Sequence, residues 1–182
     1  MSHRTGLGAE HLLNDKVQVI FLVVYLGVWG LDSFVFRFST VFAEMVPIFV
    51  RLPLGILSLA VGIYLVGRSE AALFGRTLVG RIGKPKFITT GVYGWVRHPM
   101  YLGSLLVLLV FFFATFSLLS LLVWVGLFVF FDRMATYEEQ DLIKILGEPH
   151  LDYQKQVPKW FIHTKPRRST SQPAPVDFGS HI

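Results

Sequence analysis

No cysteine occurs anywhere in the 182 residues. Disulfides, thiolate metal sites, a cysteine nucleophile and palmitoylation of the chain itself are therefore excluded. Charge is scarce too: Asp, Glu, Lys and Arg make up 16% of the chain, against 53% hydrophobic residues. With a mean hydropathy of +0.55, that balance excludes an ordinary soluble domain and points to an integral membrane protein. Acid is scarcer than base, 12 residues against 17, for a formal net charge of +5. In a membrane protein such an excess marks a basic cytoplasmic face before it marks a nucleic-acid surface, so no nucleic-acid partner is expected. Also missing are a Walker loop, an HExxH, a GxGxxG and any internal repeat. The six histidines are scattered without metal-ligand spacing, and no metal is expected.

What is present is a set of long apolar runs. A helix needs about 20 apolar residues to cross the bilayer core. Residues 17–36 fit, with Asp32 the only charge, and 46–66 fit, with Arg51, Pro47 and Pro53 in the first turns. From Tyr101 to Phe131 no residue is charged, a run too long for one straight span and short for two. It divides at Thr115–Ser120 into a tight hairpin, with spans at about 100–115 and 118–146, the second running on into the cytosol. The expected fold is thus an all-α integral membrane protein of about four transmembrane helices with a C-terminal helical hairpin. Residues 1–16 form a cytoplasmic N-terminal segment that does not read as a cleaved signal peptide. Residues 17–164 form the membrane domain, and the Pro- and Ser-rich 165–182 a disordered tail.

Loop charge sets the orientation. Arg68, Arg76, Arg81, Lys84, Lys86 and Arg97 stand against Glu70 in the central loop, and Lys155, Lys159, Lys165, Arg167 and Arg168 follow the last span. The positive-inside rule then places the central loop and both termini in the cytoplasm. Ser58 and Gly62 form a small-xxx-small pair suited to close helix packing. Asp32 and Arg51 fall at similar depth on adjacent antiparallel helices and are expected to pair, an ion or proton site being the functional alternative.

The chemistry concentrates in "TTGVYGWVRHPMYLG" (89–103), a polar, aromatic and cationic stretch at the mouth of the third span. Pro99 suits a first helical position and Tyr101 an interfacial aromatic belt, so a plain anchored helix start also fits. At the other end of the hairpin stand Glu138 and Glu139. A hairpin returns to the side it left, so these acids come back to the level of Arg97, His98 and Tyr101. Adjacent helical residues point about 100° apart, so one glutamate can face inward while its neighbour faces water. A solvated helix face is the plainer reading of the same pair.

Taken together, "GVYGWVRHPMYLG", the distal "EE", the following "LG" and "YQKQVP" resemble the isoprenylcysteine carboxyl methyltransferase family, which includes phospholipid and thiol methyltransferases. The resemblance covers roughly Lys86 to Pro158. It implies a small multi-span enzyme that binds S-adenosylmethionine in a cytosolic pocket and methylates a hydrophobic or lipid-linked acceptor among membrane lipids. Carried over by motif, it implies cofactor contacts at Pro85, Lys86, Phe87, Ile88, Tyr93, His98, Pro99, Met100, Tyr101 and Glu138. His98, Arg97 and Glu139 are the expected catalytic residues. In the isoprenylcysteine enzymes a substrate-facing arginine lies four residues before that first glutamate; here the position is Met134, with Arg133 beside it, and both are assigned to the acceptor.

The side-chain chemistry suits such a ligand. A carboxylate accepts charge-assisted bonds from an amino group or ribose diol. Tyr93 and Tyr101 offer ring faces to a sulfonium, Arg97 or Lys86 a cation to a carboxylate. A thiol or ammonium acceptor needs a base, for which His98, Glu139 and Tyr137 are candidates. Two other classes remain. Sterol reductases look similar in this region and bind a nicotinamide cofactor, though with many more spans, and a non-catalytic membrane scaffold would keep the hairpin alone.

Overall fold

The computed structural model describes residues 7–74 and 88–161. Every regular element among them is helical, as expected. Helix α1 (Leu7–Gly30) passes into a π-helical turn (Leu31–Phe36), and a 3-10 turn (Thr40–Ala43) leads to α2 (Ile48–Phe74). A second 3-10 turn (Gly91–Gly94) precedes α3 (Pro99–Thr115), α4 (Leu118–Leu146) and α5 (Glu148–Gln156). Three stretches are long and apolar enough to cross a membrane: Val17–Phe36, Ile48–Ala72 and Leu118–Leu146. The expected fourth span is α3, which at 17 residues is the shortest apolar helix of the set. At 1.5 Å per residue it measures about 25 Å, less than the roughly 30 Å hydrocarbon core. Helix α1 also begins at Leu7, inside the segment expected to precede the first span. The expected tail at 165–182 lies outside the described residues.

The chain divides into two compact units, Met1–Ile56 with Leu108–Phe128, and Leu57–Val107 with Val129–Ile182. Within the first, Tyr25 is fully buried and donates to the Leu108 carbonyl at 2.6 Å. Trp29 and Ser33 both donate to Thr115 Oγ1, at 3.0 and 2.8 Å. Such bonds tie α1 to α3 where apolar association alone gives little, because lipid tails are as apolar as the helices.

The hairpin turns where the sequence placed it. Helix α3 ends at Thr115, Phe116 takes a left-handed φ of 53°, and after Ser117 helix α4 begins at Leu118. Ser117 Oγ accepts from Ser120 N at 3.1 Å, capping one of the orphan amides of α4, and Ser39 Oγ accepts from Leu119 N at 3.0 Å. Both hydroxyls donate in turn to Asp32, Ser117 at 2.5 Å and Ser39 through a short bond, while Ser39 N adds a third at 3.0 Å. The expected Asp32–Arg51 pair is therefore not formed. Asp32 is satisfied by hydroxyls and an amide, and Arg51 Nη1 reaches the Ala114 carbonyl at 3.4 Å with its guanidinium 6.0 Å from the Phe116 ring centre.

In the second unit Gly62 of α2 meets Gly103 of α3. A Cβ built on either would lie 2.8 Å from the other's carbonyl oxygen. Ser58, one turn earlier on the same face, donates to Leu106 O at 2.7 Å. The Ser58/Gly62 expectation thus holds, with the small residues letting two backbones approach. Around them Leu65, Val92, Val96, Leu105, Phe131, Ala135, Tyr153 and Val157 form the core.

Candidate functional site

All the contacts of the candidate site lie within the second unit. Thr90 precedes a 3-10 turn that Gly91 opens at φ +67°, a left-handed value suited to glycine. The Tyr93 carbonyl accepts from Tyr153 OH at 2.6 Å, fixing that turn on α5. Burial pushes the Tyr93 phenol above its ordinary value; Ser69 opposes through a hydrogen bond, and the Glu138 charge adds to the rise. Val96 is fully buried, and the next amide, Arg97 N, donates to Pro158 O at 3.0 Å. His98 then caps α3: its carbonyl accepts from Leu102 N at 3.0 Å, and Pro99 takes the first helical position as expected.

This backbone aims two side chains at α4. His98 Nε2 lies 2.9 Å from Glu139 Oε1, and Arg97 Nε lies 3.2 Å from the same oxygen. The other oxygen, Oε2, accepts from Gln154 Nε2 of α5 at 3.2 Å. Glu139 is nearly enclosed, with 11% of its side chain exposed, whereas Glu138 keeps 52%. One acid faces in and one faces out, as the helical angle requires. Glu138 Oε2 stands 3.7 Å from His98 Nδ1 and accepts a long bond of 3.4 Å from Tyr101 OH. The Tyr101 ring stacks on His98 at 5.6 Å and 3°, and on Phe131 at 5.1 Å and 15°.

The segment after α5 crosses the same region. Lys159 Nζ donates to Asp132 Oδ1 at 2.6 Å, to Asp132 O at 2.9 Å and to Thr136 Oγ1 at 2.7 Å. Trp160 Nε1 donates to Asp132 Oδ1 at 2.8 Å, and its ring centre lies 6.1 Å from that of His98. Helix α5 presents His150, Tyr153 and Gln154, and its C-cap Val157, spaced i, i+3, i+4 and i+7, to this assembly.

The structure brings together Tyr93, Arg97, His98, Tyr101, Glu138 and Glu139 from the expected set. Pro99 is buried at the helix start, and the Met100 carbonyl is engaged by Ser104 Oγ at 3.0 Å. Ile88 is half-buried in irregular chain; Pro85, Lys86 and Phe87 lie outside the described residues. On α4, Arg133 is exposed and Met134 half-buried, with neither in a polar contact of this cluster. Tyr137 is 68% exposed. Asp132, His150, Gln154, Lys159 and Trp160 were not anticipated as members. Only the i, i+3, i+4, i+7 stripe on "HLDYQKQV" signals that the first turns of α5 pack inward.

Comparison with known proteins gives the chain a setting. The family model described as phospholipid methyltransferase matches residues 50–149. A curated relative from Schizosaccharomyces pombe (strain 972 / ATCC 24843), a protein-S-isoprenylcysteine O-methyltransferase, is 34% identical over 76 residues, which is 39% of this chain. That match covers only 30% of the relative's own length. No solved structure matches the chain significantly.

Proposed function

Because this chain belongs to the phospholipid methyltransferase family, we propose that it is an S-adenosylmethionine-dependent membrane enzyme that methylates a lipid-borne or otherwise hydrophobic acceptor at the cytoplasmic surface. The observation that carries the reading is the outward-facing Glu138 beside Tyr101 and His98. Among the described residues its carboxylate has long contacts only, 3.4 and 3.7 Å, which suits a ligand with an ammonium group or a ribose diol. The residues therefore fit the cofactor's polar parts. S-Adenosylmethionine, when bound, supplies an electrophilic methyl group on a sulfonium.

The protein's task in such a displacement is placement rather than covalent help. Glu138 and the Tyr101 hydroxyl hold the polar end of the ligand. Glu139 keeps Arg97 and His98 in place, and with Nε2 of His98 bound to Glu139, Nδ1 is left toward Glu138 and the exposed side. That nitrogen is the group placed to take a proton from an amine or thiol acceptor; a carboxylate acceptor needs none. The stacking of Tyr101 on His98 and Phe131 leaves its hydroxyl, more than its ring face, as what it offers. The matched family and the curated relative are described by different acceptors, a phospholipid and an isoprenylcysteine. The class they share is a methyl acceptor on an apolar tail, which suits a protein whose helices expose Val19, Ile20, Val23, Ile56 and Ile63. The cytoplasmic placement rests on the positive-inside charge of the loops.

Calorimetric titration of detergent-purified protein with S-adenosylhomocysteine tests this reading. Micromolar binding, weakened roughly tenfold or more by Glu138→Gln, is expected, tenfold being about 1.4 kcal/mol. A folded, monodisperse protein that does not bind it overturns the proposal, and NADPH would be titrated next.

A further inference from the structure

Glu139 Oε2 and His150 Nε2 share one neighbour. Gln154 Nε2 lies 3.2 Å from the carboxylate oxygen and 3.3 Å from the imidazole nitrogen. A glutamine amide has a two-donor NH2 at one end and an acceptor oxygen at the other. Only the NH2 end can face a carboxylate, so Glu139 fixes which way Gln154 points. The same NH2 then faces His150 Nε2, and that nitrogen must carry a lone pair. An imidazole that accepts there is neutral with its proton on Nδ1, the less common tautomer of a free imidazole.

We propose that Gln154 and His150 are positioning residues for Glu139, and that protonation of His150 releases their hold. A proton on Nε2 would set an N–H against the NH2 of Gln154. Turning the amide over satisfies His150, but it places the amide oxygen against Glu139 Oε2. Either way the carboxylate loses a donor and is left to Arg97 and His98.

The surroundings of His150 decide the range in which this happens. Helix α4 contributes Glu139, which favours the proton; the segment before α3 contributes Arg97 and His98, which disfavour it. On its own helix are Gln154 and the Tyr153 ring, 6.0 Å away. Burial is the largest influence and holds the imidazole below its ordinary value. The release therefore belongs below the ordinary imidazole range. Gln154 and His150 both lie past residues 50–149, the stretch that the family model matches. The consequence for ligand binding rests on the methyltransferase reading, whereas the hydrogen-bond relay does not.

Nitrogen NMR of histidine-labelled protein tests the relay directly, with the His150 signals assigned by their loss in His150→Gln. At about pH 7.5 the neutral Nδ1–H tautomer is expected, reverting toward Nε2–H in Gln154→Leu. An Nε2–H tautomer in the wild type, or no change in Gln154→Leu, overturns the proposal. S-Adenosylhomocysteine affinity at about pH 7.5 and about pH 5.5 then reads the release. The acid-induced loss is expected to be roughly threefold or more greater in the wild type than in His150→Gln, whose amide oxygen keeps an acceptor that does not titrate. An equal loss in both overturns the release. If no form binds at either pH, the methyltransferase reading falls, and the tautomer still decides the relay.

Discussion

Arg97 and His98, neighbours in the chain, converge on a single oxygen: Oε1 of Glu139 lies 3.2 Å from Arg97 Nε and 2.9 Å from His98 Nε2. Consecutive residues seldom aim side chains at one atom. Here the turn before Pro99 allows it, because Arg97 and His98 precede the helical stretch that would fan them apart.

Removing that charge leaves Arg97, 14% exposed, without its counter-ion. Glu139→Gln is expected to cost about 3 kcal/mol, the usual penalty for breaking an enclosed pair from one side. Glu138→Gln, at a half-exposed position, should stay within about 0.5 kcal/mol of wild type. Thermal unfolding of both variants in one detergent checks the contrast, and equal losses would show that the inner carboxylate is not the one that holds the cluster.

The Gly62–Gly103 contact makes a sharper packing prediction. A methyl group on Gly62 must move a backbone carbonyl 2.8 Å away, so Gly62→Ala and Gly103→Ala should each lose about 1–3 kcal/mol. Gly126 has nothing within 4 Å of its built Cβ, and Gly126→Ala is the control, expected to unfold no earlier than wild type.

Asp32 is held by Ser39 and Ser117, whose hydroxyls also cap α4. Asp32→Ala is expected to cost about 1–2 kcal/mol, the range for losing a helix cap. Because Arg51 is not its partner, the double exchange Asp32→Arg with Arg51→Asp should be less stable than either single change. A rescue in that double variant would restore the pairing that charge and depth suggested.

His150 also leaves a mark on stability. Burial depresses its pKa in the folded protein. As pH falls through about 6.5, the ordinary value, the unfolded chain takes up a proton before the folded one does. Stability from this group is therefore complete above that pH and is lost progressively below it. Urea unfolding across the acid range should show a slope that His150→Gln reduces; an unchanged slope would remove His150 from the balance.

Much of this architecture was legible in the residues. The uncharged run from Tyr101 to Phe131 had to break, and the small polar residues at Thr115–Ser120 marked where. The two glutamates could be placed opposite Arg97 and His98 because a hairpin fixes the level of its two ends. Charge and depth point Asp32 toward Arg51, but a buried carboxylate needs hydrogen-bond donors, and Ser39, Ser117 and an amide supply them. The contributions of Gln154, Lys159 and Trp160 were not legible for another reason. Each depends on where a short helix docks, and isolated polar residues carry no periodicity that announces a partner far away in the chain.

The link from Arg97 N to Pro158 O, with Lys159 fastened on Asp132, bears on the order of synthesis. Translation delivers the apolar hairpin before residues 150–160, so α3 and α4 are made while Arg97, His98 and Glu139 still lack Gln154 and the Pro158 carbonyl. The polar cluster is completed only by residues that follow the hairpin in the chain. A growing chain thus presents two apolar helices and an unfinished site, and the polar cluster waits on the segment that packs back against its mouth.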